Sequence, residues 1–302
     1  MGIHRLDNIE SINAVVGEET HNPLVTLVDL SKSEPGAPMK VQFELFGIFL
    51  KESHCNPIKY GKKYYDYQKG TMVFVSPGQV VDIEEVDENG LHQPTGLVLF
   101  FHPDLVKGTS LASSLIQYSF FSYRVNEALH LSEQEKSFVI DIFSKIESEI
   151  ERPIDKHSKK LIANTIELLL NYCQRFYDRQ FITREIVNRN TVEKFDRLLN
   201  EYFENKEIAT VGIPRVSYFA EKLNISVKYF GDLIKKETGQ TAKDFIQNKT
   251  IEMAKSEILI SGKTISEVAY QLGFKYPQHF TRLFKQREGI SPIHFKYNHH
   301  RN

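Results

Sequence analysis

Cationic side chains able to meet phosphate are concentrated at one end of this chain. Residues 210–302 carry 15 Lys+Arg and 8 Asp+Glu, a balance of +7, while the remaining 23 of 38 basic and 31 of 39 acidic residues sum to −8. A basic third on an acidic body is the asymmetry expected when one domain contacts a polyanion and another does something else. Other chemistries have weaker signals. No nucleophile elbow, phosphate-cradling Gly-rich loop or paired-carboxylate motif is present, so no catalytic residue is expected. Cys55 and Cys173 stand far apart without CxxC spacing, which suggests two buried free thiols rather than a disulfide or a zinc ribbon.

The cations need elements to hold them, and a repeat supplies these. VSYFAEKLNISVKYFGDLIKKETGQTAKDF (216–245) lies over ISEVAYQLGFKYPQHFTRLFKQREGISPIHF (265–295) with one extra residue in the second turn. Ala220 then matches Ala269, Leu223 matches Leu272, Phe230 matches Phe280, Leu233 matches Leu283, Lys235 matches Lys285, Gly239 matches Gly289 and Phe245 matches Phe295. Each copy reads as a short helix, a tight turn and a second helix. Asn224 and Gly273 fall directly after the first helices, where a residue tolerant of positive φ is needed. Ser226 suits an N-cap and Pro277 a first helical position. Alanine at 220 and 269 lets the two helices cross closely, so each copy is expected to be a helix-turn-helix. Between the copies, TAKDFIQNKTIEMAKSEILIS (241–261) reads as a long helix capped by Thr241 with Asp244 and ended by Gly262, with Phe245, Ile251, Ala254, Ile258 and Leu259 inward. Thr264 with Glu267 caps the next helix.

From about Thr20 to His102 the chain reads as short strands. VTLVDLS, QFELFGIFLK, GTMVFVSP and TGLVLFFH are rich in β-branched and aromatic residues and are separated by Pro, Gly, Asn and Asp clusters, as in a small barrel or sandwich. Fourteen aromatics lie between Phe43 and Tyr123, including Tyr60, Tyr64, Tyr65 and Tyr67. They either line a cavity for a small apolar or planar ligand or fill a core, and core filling is the expectation. The same stretch holds His54, His92 and His102. A cupin-type metal site resembles HxH followed by Glu with a later His; no HxH occurs here, so no metal and no cofactor are expected. GTMVFVSPGQVVD (70–82) is nevertheless similar to the turn region of a cupin strand pair, with Pro77–Gly78 at the bend.

After Leu131 the period becomes helical. Ser132 with Glu135 forms a capping box ahead of FVIDIFSKIESEI, and a second helix from about Asp155 to Phe181 places Leu161, Ile162, Ile166, Leu169, Leu170, Cys173 and Phe176 on one stripe. These helices cover either the strands of their own chain or matching helices of a second copy, which would make a homodimer; both stay open. FITREIVNRN (181–190) reads as the interdomain linker, with partial helix left open since it holds no glycine or proline, and TVEKFDRLLNEYFEN (191–205) opens the C-terminal domain with Val192, Phe195, Leu198, Leu199 and Tyr202 inward. The expected divisions are a β domain at 1–108, a helical segment at 109–182, a linker at 183–190 and an all-α domain at 191–302. No apolar run of 18 residues occurs and MGIHRLDNIE lacks the regions of a signal peptide, so a soluble cytoplasmic protein without a membrane partner is expected.

FKYPQHFTRLFKQREGISPIHFK (274–296) resembles the signature of the arabinose-operon-regulator (AraC/XylS-type) family of bacterial transcription factors, FxRxFKxxxGxSPxxF/YR. The match rests on Phe274, Phe280, Arg282, Phe284, Lys285, Gly289, Ser291, Pro292 and Phe295, with Lys296 in place of the usual Arg. The resemblance implies an α+β protein of two domains: an N-terminal cupin-like β-barrel with dimerisation helices, and a C-terminal all-α domain of two helix-turn-helix units joined by a long helix. It also implies double-stranded promoter DNA as partner, a homodimer, a small-molecule effector for the N-terminal domain, and RNA polymerase as a further partner of an activator. Mapped onto this chain, the base-reading face of the second recognition helix holds Pro277, Gln278, His279 and Arg282, and that of the first holds Lys228, Gly231 and Asp232. Asp232 departs from the basic or amide residue usual there; it either accepts from a cytosine amine or repels phosphate, and the second is expected. Lys235, Lys285 and Arg287 are phosphate contacts or plain solvated cations. The alternative from another class is a cupin-type metal-dependent enzyme with an accessory DNA-binding domain.

Overall fold

A computed structural model describes residues 3–32, 39–51, 70–83, 95–124, 127–205, 208, 211–260 and 262–299. The chain divides into two compact units, Met1–Arg184 and Glu185–Asn302. His54, Cys55, Tyr60, Tyr64, Tyr65, Tyr67 and His92 lie outside the described residues.

In the first unit the alternating runs form two sheets. Strands β1 (Ile3–Leu6), β3 (Met39–Phe43) and β6 (Gln79–Ile83) make one, in the order β1-β3-β6. The other has the order β2-β7-β4-β5-β8, from Val25–Asp29 (β2), Phe46–Lys51 (β4), Gly70–Val75 (β5), Leu97–Phe101 (β7) and Leu129–Leu131 (β8). QFELFGIFLK, expected as one strand, is instead a corner at which the chain leaves the first sheet for the second. Its inward alternation of Val41, Phe43, Leu45 and Gly47 runs straight through the corner, so period alone gives no sign of it. The chain changes sheets again at Ser76–Gly78, where Gly78 takes a φ of 83° and its N–H donates to the Phe43 carbonyl at 2.7 Å.

One face of the five-stranded sheet meets a cluster of Val28, Val75, Val98 and Phe100 with Val41 and Phe43, closed by Ile9 and Ile12 of helix α1 (Ile9–Val16). Asn8 caps α1 by accepting from the Ser11 N–H at 2.8 Å. Short helices α2 (Pro103–Val106) and α3 (Ser110–Ser114) follow β7. His102 is the N-cap of α2: its Nδ1 accepts from the Asp104 N–H at 3.1 Å. Helix α4 (Glu133–Ile150) begins on the expected capping box of Ser132 and Glu135.

Helix α5 (Ser158–Thr183) covers the other face of the sheet. The Cys173 thiol lies 3.9 Å from the Met72 sulfur, and the Tyr177 ring packs on Phe74 and stacks on Phe120 at centroid distances of 6.2 and 5.3 Å. Burial pushes the Cys173 thiol far up, which makes it inert as a nucleophile. These rings pack on one another and fill a core. Leu161, expected on the inward stripe, is 51% exposed instead, and Ala163 takes a buried place, because the stripe is set by the elements packed on α5, α2, α3, α4 and β8, rather than by side-chain size. Among the described residues, no helix is long and apolar enough to cross a membrane.

The second unit begins with α6 (Glu185–Glu204), six residues earlier than its expected start at 191. The polar run before 191 holds no glycine or proline to stop a helix, and buried Asn188 donates to the Glu237 carboxylate at 3.1 Å. Phe195 of α6 sits among Phe219, Phe230 and Phe245, each with its ring centroid 5.0 Å away. Next come α7 (Val216–Lys222), α8 (Val227–Thr238), α9 (Ala242–Ile260), α10 (Ile265–Gln271), α11 (Pro277–Glu288) and α12 (Pro292–His299). A second core gathers Ile251, Ala254 and Ile258 of α9 with Val268, Ala269, Phe280, Phe284 and Phe295. Leu259, expected inward on α9, is exposed; Ile246 and Thr250 are buried there, the threonine hydroxyl donating to the Ile246 carbonyl at 2.8 Å.

Candidate nucleic-acid interface

Both repeat copies fold into the same helix-turn-helix. Asn224 (φ 55°) and Gly273 (φ 78°) adopt the left-handed conformation after α7 and α10. The next residues, Ile225 and Phe274, donate their N–H groups back to the carbonyls of Ala220 and Ala269, both at 3.0 Å. Gly273 is constrained twice, since a Cβ there would meet the Ile208 carbonyl oxygen at 2.5 Å. Ser226 caps α8 by accepting from the Tyr229 N–H at 3.1 Å, and Pro277 opens α11. Gly239 and Gly289 close the two helices in left-handed conformation, each donating to a carbonyl four residues back, Lys235 and Lys285, at 3.0 Å.

One face of each second helix is committed to the core: Tyr229, Phe230, Leu233 and Ile234 in α8, Phe280 and Phe284 in α11. The opposite face of α11 brings Gln278, His279, Arg282 and Lys285 together in solvent, with Pro277 half-buried at its start. Gln can pair bidentately with adenine and Arg with guanine, so this stripe can read base edges. Tyr276, at the N-cap, is 47% exposed and its ring meets that of His279 at 5.5 Å. On α8, Lys228 and Lys235 are exposed while Gly231 and Asp232 are half-buried. The Lys228 ammonium lies 4.0 Å from the Asp232 carboxylate, which offsets the charge of that aspartate within the helix itself.

Arg287, expected as a phosphate contact or a solvated cation, has a different place. Its guanidinium bonds the Asp244 carboxylate and, at 2.6 Å, the Gln247 side-chain oxygen, tying the end of α11 to the start of α9. The Thr241 hydroxyl and then Arg287 hold the Asp244 carboxyl below its ordinary range. Lys255 adds a second tie from α9 to Glu288 at 3.1 Å. Lys296, standing where the signature has Arg, donates to the Lys263 carbonyl at 2.9 Å. A helix of 19 residues spans about 28 Å at ~1.5 Å each, so α9 is a rod close to one duplex turn in length. The outward Val227, at the start of α8, was not singled out by the repeat alignment. Its exposure follows from the way α8 is turned, since Ile9 at the same place after the Asn8 cap of α1 is buried.

Residues 219–298 match a family model described as a helix-turn-helix domain. The TetD protein of transposon Tn10 from Escherichia coli is 34% identical over 146 residues, covering 48% of this chain and 92% of that protein. A Bacillus subtilis protein described as the uncharacterized HTH-type transcriptional regulator YtdP is 30% identical over 77 residues, 26% of this chain, and the chain spans only 10% of its length. The C-terminal domain of the two-component response regulator yesN from Fusobacterium nucleatum is 26% identical and covers 35% of this chain and 98% of that domain. Its TM-score of 0.32 is too low to carry a fold argument. With a recurring helix-turn-helix, the signature residues at their structural stations and a relative matched over nearly its whole length, the chain belongs to the AraC/XylS-type family of helix-turn-helix transcription factors.

Proposed function

We propose that this protein regulates transcription by binding promoter DNA sequence-specifically, with α8 and α11 entering successive major grooves of one duplex. The carrying observation is the α11 face, where Gln278, His279 and Arg282 share one solvent-facing stripe on a helix whose opposite side is buried. In this reading Lys228, Gly231 and Asp232 meet the other groove, Pro277 sets the entry of α11, and Lys235 and Lys285 contact phosphate. In this reading the strands up to Leu131 form a cupin-like β domain, α4 and α5 the segment through which two copies pair, and Glu185–Asn302, from the start of α6, the DNA-binding domain. Leu161 and Leu168, seven residues apart on α5 and 51% and 47% exposed, support pairing through that helix once its other face is committed to the sheet. Control by a small-molecule effector rests on the family architecture alone, since the described rings fill a core. RNA polymerase is a further partner where the protein activates. The family points to regulation rather than catalysis, and no observation favours the enzyme reading.

The test is a titration of the full chain with duplex DNA at increasing salt. Affinity should fall linearly on log axes with a slope of about −0.9 per phosphate neutralised. Binding that is absent, or indifferent to salt, would overturn the proposal.

A further inference from the structure

Among the described residues, nothing in the packing accounts for Gly231. It lies inside α8 with an ordinary helical backbone, and a Cβ built on it meets none of the described residues within 4 Å. Glycine in a helix interior is destabilising relative to alanine, so a position that neither needs positive φ nor lacks room carries that cost for another reason. One turn earlier on the same side stands Val227, 48% exposed at the first position of the helix, and one turn later stands exposed Lys235. The stripe therefore runs from an apolar side chain through bare backbone to a cation. Beside it, the Lys228–Asp232 contact of 4.0 Å keeps the carboxylate from presenting an uncompensated negative charge. The matched stripe on α11 holds Pro277, Thr281 and Lys285, so the bare position is particular to α8.

We propose that α8 reads thymine, with Val227 packing on a thymine 5-methyl group in the major groove and the uncovered backbone at Gly231 letting the helix seat close to the duplex. This rests on the DNA-binding reading above and names the base that its first half recognises. The N-terminal residues of a recognition helix are the ones that reach base edges, and apolar side chains are suited to the thymine methyl.

The methyl group can be removed without touching the protein. Duplexes enriched by the full chain from a random pool are remade with deoxyuridine in place of thymidine, a change of one methyl per base. Wild type should bind the uracil duplex about fourfold more weakly for each methyl buried by Val227. Val227→Ala should bind the thymine duplex about fourfold more weakly than wild type and lose correspondingly less on the exchange. Gly231→Ala should raise the melting temperature while weakening DNA binding, a pairing that a merely structural glycine would not give. An exchange penalty for Val227→Ala equal to that of wild type, or Gly231→Ala binding as well as wild type, would overturn the proposal. Failure of the wild-type chain to enrich any sequence would instead defeat the DNA-binding reading on which it stands.

Discussion

Ala220 and Ala269, and Phe230 and Phe280, occupy matched inner positions of the two helix-turn-helix units, whereas the outer faces beside them hold Gly231 and Asp232 in one and Thr281 and Arg282 in the other. The inner positions are dictated by packing, which is the same problem solved twice: a small residue at the helix crossing and a ring in the core. The outer positions stand away from that packing, and nothing in the fold requires them to agree. The units also differ in how they are anchored. The second is tied to α9 by Arg287 with Asp244 and Gln247 and by Lys255 with Glu288. The first is tied to α6 through Asn188 and Glu237, while Lys249 of α9 reaches Asp196 at 3.8 Å.

If the second unit reads by hydrogen bonds and the first by shape, their substitutions should separate. Arg282→Ala should cost about 1–3 kcal/mol at an enriched site, relax preference at one base pair and cost much less on random duplex. Asp232→Ala should change affinity at the same site by less than ~0.5 kcal/mol, because its charge is already offset by Lys228. Equal losses for the two would erase the distinction drawn between the units. Arg287→Ala should lower the stability of the second unit by about 1 kcal/mol in urea, a value reduced for the partial exposure of the pair, while Lys235→Ala should stay within ~0.5 kcal/mol. The smallest effect concerns pH. The Asp244 carboxyl is held below its ordinary range when folded, so its contribution is present above about pH 4 and fades as pH falls through the folded value. Arg287→Ala should therefore flatten the acid limb of stability against pH, and an unchanged limb would show that the contact contributes nothing.

The second unit was the more legible part of the chain. The turns at Asn224 and Gly273, the caps at Ser226, Thr241 and Thr264 and the closing glycines are local chemistry, and each sits where its residue type requires. What escaped was set by contacts remote in sequence. The corner at Glu44–Leu45 was hidden because buried alternation continues through it, and β1, with mostly exposed residues, carries no alternation to detect. The start of α6 falls inside the polar run read as a linker, where buried Asn188 has a half-buried partner 49 residues away. Arg287 shows the same limit at the interface: a cation on a basic helix is expected in solvent unless the approach of α9 is known.

The central claim is that both units read one duplex. Enrichment of random duplexes by the full chain tests it most directly. The account predicts an enriched pattern with two blocks centred one helical turn apart, about 10–10.5 base pairs, the block assigned to α11 losing definition in Arg282→Ala. A pattern with a single block, or one unaltered by Arg282→Ala, would contradict it.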